Sequence, residues 1–113
     1  MIYITHKVEN TWMHGKMFKR SFLLENNIKF HPDLRVHEDT YFLSIAAECA
    51  NKIGFLNIIS YVWRWGKDSI TRKNEGEYRF NNAIDFIKAC AYAHDFIKTL
   101  PIEKQKNLEY KIV

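Results

Sequence analysis

Residues 35–50, RVHEDTYFLSIAAECA, decide how this chain is read. From Glu38 to about Ala50 the apolar side chains fall at 41, 42, 45, 46 and 49. That spacing predicts a helix with one buried face. Two acids, Glu38 and Asp39, stand at its first turn, where carboxylates favour the positive end of the helix dipole by about 0.3–1 kcal/mol each. The same placement suits a reaction. A helix N-terminus keeps a carboxylate ionised and backbone amides fix its position, so an aspartate there can take a proton from a hydroxyl. Both roles stay open on this stretch alone.

Outward from it, other elements take shape. Ser21 is placed to cap a short helix, SFLLEN, which Asn26-Asn27 ends. Ile28-Lys29-Phe30 alternates as a short extended piece, and His31-Pro32-Asp33 reads as a turn. Residues 52–65, KIGFLNIISYVWRW, are rich in strand-forming residues and apolar on both faces. Gly66 to Ser69 make a turn. A long helix is expected from about Glu75 to Leu100, with Phe80, Ile84, Ile87, Cys90, Ala91, Ala93 and Ile97 on a wide apolar stripe. Pro101 ends it and can open a last short helix. The fold class is therefore α+β, mostly helical, with three to four helices and one or two short strands or hairpins. A strand buried on both faces wants sheet neighbours, and few are supplied. The chain is accordingly expected to be part of a larger sheet or to form a homo-oligomer through the edge near Ile58 to Trp65.

Composition sets the outer limits. At 113 residues the chain is one small domain or a piece of a larger one. Apolar residues at 47% and aromatics at 15% suffice for a core and argue against global disorder. A formal charge of +4 admits an anionic ligand such as a phosphate. No dense Lys/Arg stripe of a nucleic-acid binder is present. No signal-peptide pattern opens the sequence, and no apolar run approaches the ~20 residues of a membrane span. A cytoplasmic location is the expectation, with Cys49 and Cys90 as buried free thiols. No cysteine or histidine spacing suggests zinc, and His31, His37 and Asp39 match no metal site.

One wider pattern brings these pieces together. In order, the chain carries Trp12 and Lys16, then Lys19-Arg20-Ser21-Phe22-Leu23, Ile28 and Phe30, Glu38-Asp39, Tyr61 to Arg64, and Ser69 to Arg72. This series resembles the family 2 glycosyltransferases of the GT-A fold. It covers about residues 11–73, and residues 75–112 would be a helical C-terminal extension. The resemblance implies a partial GT-A fold, residues 1–113 forming one acceptor-binding domain. It implies that Asp39 is the general base, deprotonating an acceptor hydroxyl as that oxygen attacks the anomeric carbon of a nucleotide sugar with inversion. Glu38 would orient its surroundings. Trp12, His14, Lys16 and Trp65 are the acceptor-binding candidates, each with a structural role as the alternative. Arg72, Lys67 and Arg64, around a turn, are the candidates for contacting the donor diphosphate.

The departures matter equally. Family members place a nucleotide-binding half first, ending in Asp-x-Asp, which holds a divalent metal on the diphosphate. No Asp-x-Asp occurs here, and the ~100 or more residues of a nucleotide-binding unit are missing. The chain is thus expected to hold no cofactor itself and to be inactive alone, with manganese or magnesium belonging to a complete enzyme. The partners implied are a nucleotide-sugar donor and a sugar or polyol acceptor. Two other classes compete: a non-catalytic interaction module of glycosyltransferase-like fold, and a small basic nucleic-acid-binding protein.

Overall fold

A computed structural model describes residues 12–54, 61, 62, 64 and 76–105, with side chains of the long helix described from Arg79 onward. Its helices are α1 (Arg20–Glu25), α2 (Glu38–Cys49) and α3 (Gly76–Lys98). A short 3₁₀ turn at 102–105 follows Pro101, as that residue's fixed φ favours. The chain is mostly helical. Among the described residues there is no strand. Of the expected strand over 52–65, residues 52–54, 61, 62 and 64 have no regular structure, and the remainder lies outside the described residues. The edge proposed for self-association lies largely there too.

The Ile28-Lys29-Phe30 alternation arises from a helix end, not from a strand. Asn26 is the C-cap of α1, and Asn27 follows in the left-handed conformation at φ 52. The Ile28 N–H donates to the Leu23 carbonyl at 2.9 Å, and the Asn27 N–H donates to the Leu24 carbonyl at 3.2 Å. These two bonds define a Schellman motif, which ordinarily folds the residue after the left-handed one back onto the helix. Ile28 is buried for that reason, while Phe30, two residues on, is half exposed. The α1 N-terminus also differs from expectation. Lys19 holds the N-cap position without a side-chain bond, and Ser21 lies inside the helix.

Helix α2 is buried more widely than a single stripe. Tyr41, Phe42, Leu43, Ile45, Ala46 and Cys49 enter the core, and Glu48 is buried with them. Its N-cap is His37, whose carbonyl accepts from the Tyr41 N–H at 3.1 Å. Lys104 reaches the other end from the 3₁₀ turn. Its ammonium donates to the Cys49 carbonyl at 3.5 Å, a cation at the negative pole of the helix.

Helix α3 packs against α2. The face it buries carries Ala89, Ala93 and Ile97, flanked by the partly buried Tyr92 and Phe96. Of the expected stripe, Ala93 and Ile97 are buried and Ile84 is half-buried, while Phe80, Ile87 and Ala91 are exposed. Phe80 and Ile87 are 67% and 66% exposed, and Cys90 is exposed, not buried. The reason is complementarity of size. Helix α2 contributes the large side chains at this contact, so α3 presents alanines, which let the two backbones approach. Helix α3 is therefore apolar on two opposite faces, one of them covered.

Candidate functional site

Helix α2 begins at Glu38, which makes Asp39 its second residue. Both carboxylates are partly exposed. Asp39 Oδ1 accepts a bond from the Thr40 N–H at 2.7 Å, which fixes the side chain over the first turn. Among the described residues no cation pairs with it. An aspartate held this way keeps lone pairs free to accept a proton.

The approach to this turn is pinned by two histidines. His37 adopts the left-handed conformation at φ 65, uncommon for a residue with a β-carbon. Its Nε2 is hydrogen-bonded to Asn82 Oδ1 of α3, and its ring meets Phe86 edge-on at 5.2 Å. His31 lies flat on Tyr92 of α3, centroids 3.8 Å apart and planes 7° apart, with its edge toward Tyr41 of α2. The segment from His31 to His37 is thus clipped to α3 at both ends. Neither contact is deducible from spacing, because both partners lie 45 residues or more along the chain.

The aromatic candidates gather elsewhere on the surface. Gly15 has φ 69 and bends the chain between Trp12 and Lys16. The Lys16 ammonium donates to the Trp12 carbonyl, four residues back, and so closes this turn. His14 stacks on Tyr61 with centroids 4.4 Å apart, and Trp12 lies 6.3 Å from His14. Met13 and Phe18 bind the turn to the core, Phe18 meeting Phe42 of α2 edge-on at 5.4 Å. The structure therefore brings Trp12, His14 and Lys16 into one turn, and adds Tyr61, which no sequence signal had marked as a site residue. Arg64 is exposed. Trp65, Lys67 and Arg72 lie outside the described residues.

No group of three or more His, Cys, Asp or Glu able to hold a metal occurs among the described residues. His31 and His37 are each engaged with α3 instead. Nor is any helix among the described residues long and apolar enough to cross a membrane. No protein-family model matches the sequence, and neither a curated protein nor a solved structure matches it.

Proposed function

We propose that this chain is the acceptor side of an inverting glycosyltransferase, in which Asp39 removes the proton from the attacking hydroxyl. The observation that carries the reading is the state of Asp39: second residue of α2, partly open to solvent, oriented by the Thr40 amide and free of a described cation. The order of motifs on which the reading also leans is that of the resemblance. Arg64, Lys67 and Arg72 would face the donor diphosphate, and the metal-binding half would come from outside these residues.

The test has two arms. The 113-residue chain, given nucleotide sugars, acceptors and a divalent metal, is expected to show no turnover. Joined to a nucleotide-binding half that carries Asp-x-Asp, it is expected to turn over, and Asp39→Asn then lowers kcat by about 10²–10⁴-fold. Turnover by the chain alone sinks the half-enzyme reading. Full activity in the Asn variant sinks the role of Asp39.

The uncovered face of α3 supports a second reading, a non-catalytic module that binds a protein or a copy of itself. Phe80 and Ile87 give that face its apolar character. Self-association through this face makes the apparent mass rise with concentration in sedimentation, and Ile87→Asp is expected to abolish that rise.

A further inference from the structure

The start of α2 runs against local preference. His37 is its N-cap, a position that ordinarily takes an extended backbone. Here the backbone is left-handed, at φ 65 and ψ 16, where a residue with a β-carbon is penalised. Nor does the His37 side chain make the bond to a first-turn amide by which Ser, Asp or Asn stabilise a helix start. The compensation comes from α3. Asn82 Oδ1 accepts a bond from the His37 Nε2–H, and Phe86 meets the same ring edge-on at 5.2 Å. Asn82 and Phe86 stand four residues apart, so they are neighbours on one face of α3. Ala89 and Ala93 continue that stripe into the core. The packing that sets α3 against α2 therefore also sets the height of the grip on His37.

Asp39 follows His37 by two residues, and its carboxylate is held over the first turn by the Thr40 N–H. The His37 carbonyl accepts from the Tyr41 N–H at 3.1 Å, so a rotation at His37 moves the turn that carries Asp39. A contact serving stability alone has no need of a penalised backbone at this point. Penalised backbones that their surroundings enforce cluster where geometry matters to function. Helix α3 also lies outside the stretch that carries the glycosyltransferase resemblance, so nothing in that pattern gives Asn82 a role. We propose that Asn82, acting through His37, is a positioning residue for Asp39. It adds no reacting group. It fixes where the carboxylate stands, and a misplacement of about 1 Å can cost about 10²-fold in rate. The proposal deepens the glycosyltransferase reading and rests on it only for what Asp39 does. The placement of the carboxylate is measurable without it.

Solution NMR on the 113-residue chain tests that placement. The Hα–Hβ couplings of Asp39 read its χ1 rotamer, and the Thr40 amide proton reads its bond to the carboxylate. One rotamer is expected in the native chain. Asn82→Leu keeps the size of the side chain and removes the acceptor. His37→Gly permits the left-handed backbone but no longer enforces it. Both are expected to average the Asp39 couplings and to move the Thr40 proton upfield, with the circular dichroism unchanged. Asn82→Asp restores an acceptor oxygen and keeps the native values. In the chain joined to a nucleotide-binding half, Asn82→Leu lowers kcat by about tenfold or more with KM within about twofold, and Asn82→Asp recovers most of the loss. The proposal is overturned if Asp39 keeps one rotamer in both Asn82→Leu and His37→Gly, or if Asn82→Asp fares no better than Asn82→Leu. Unchanged kcat in Asn82→Leu also overturns it. Should Asn82→Leu unfold, His37→Gly decides by the same couplings. Averaged couplings in the variants, together with a joined native chain that shows no turnover, uphold the positioning and refute the role of Asp39 as base.

Discussion

Two isoleucines on α3 provide a controlled comparison. Ile87 and Ile97 lie on the same helix, ten residues apart, at 66% and 2% exposure. Replacing either with alanine removes the same atoms and gains the same few tenths of a kcal/mol in helix propensity. Only burial differs. Ile97 is almost fully buried, so its loss combines transfer and cavity terms and is expected at about 2–5 kcal/mol. Ile87 has about a third of its surface covered. Full burial of such a side chain is worth about 1.5–3 kcal/mol, so its share is about 0.5–1 kcal/mol. The propensity gain offsets much of that, leaving Ile87→Ala within about 0.5 kcal/mol of wild type. Urea denaturation followed by far-ultraviolet circular dichroism measures both. With a slope of about 1–3 kcal/mol per molar, Ile97→Ala lowers the midpoint by roughly 1 M or more, and Ile87→Ala scarcely moves it. Equal losses at the two sites, independent of chain concentration, would refute the assignment of the buried face. A loss at Ile87 that grows with concentration would mean that a second copy covers it.

Other outcomes follow from the helix ends and the thiols. Asn27→Gly is expected to keep full stability, and Asn27→Val to lose about 1–2 kcal/mol in the same denaturation assay, since the left-handed backbone at φ 52 penalises a β-branched side chain. Cys90 should react with a thiol reagent at once, and Cys49 only as fast as the fold opens, read by the absorbance of the released chromophore. Burial raises the Cys49 thiol and the Tyr41 phenol above their ordinary values, Glu48 adding to the rise at Cys49 and Lys104 opposing it. The folded state therefore keeps protons that the unfolded state releases. These groups do not alter stability below about pH 8.5 and lower it above, burial raising the Cys90 thiol as well, and Cys49→Ala flattens part of that decline.

The parts of the fold legible in the sequence were those governed by local rules. The acids at 38 and 39 and the apolar spacing after them located α2 to within a residue at its end, and Pro101 marked the stop after α3. The partly open carboxylate of Asp39 follows from the same helix start. The parts not legible depend on partners. Ala93 and Ile97 were on the expected stripe, but hydrophobicity ranks Phe80 and Ile87 above Ala89, and it is Ala89 that is buried, because a contact between two helices rewards closeness as well as area. The left-handed Asn27 turned an apparent strand at Ile28 into a helix end. Tyr61 came to His14, and Asn82 to His37, through tertiary packing, for which a single sequence carries no spacing rule.

The order in which α2 and α3 leave the ribosome has a consequence for the cell. The core of α2 is completed by α3, yet Lys98 follows Cys49 by 49 residues. At about 5–20 residues per second, α2 waits roughly 2–10 s after its own last residue is made before all of α3 exists. During that interval the side of α2 that packs on α3 has no permanent cover, although Phe42 can already meet Phe18 and Phe30. A helix of 12 residues is marginal in water on its own, so α2 does not hold its shape while it waits. The nascent chain is thus a natural client for chaperones that bind short apolar segments. Slowing translation between the two helices should lower the yield of soluble protein, whereas slowing it after Lys98 should not.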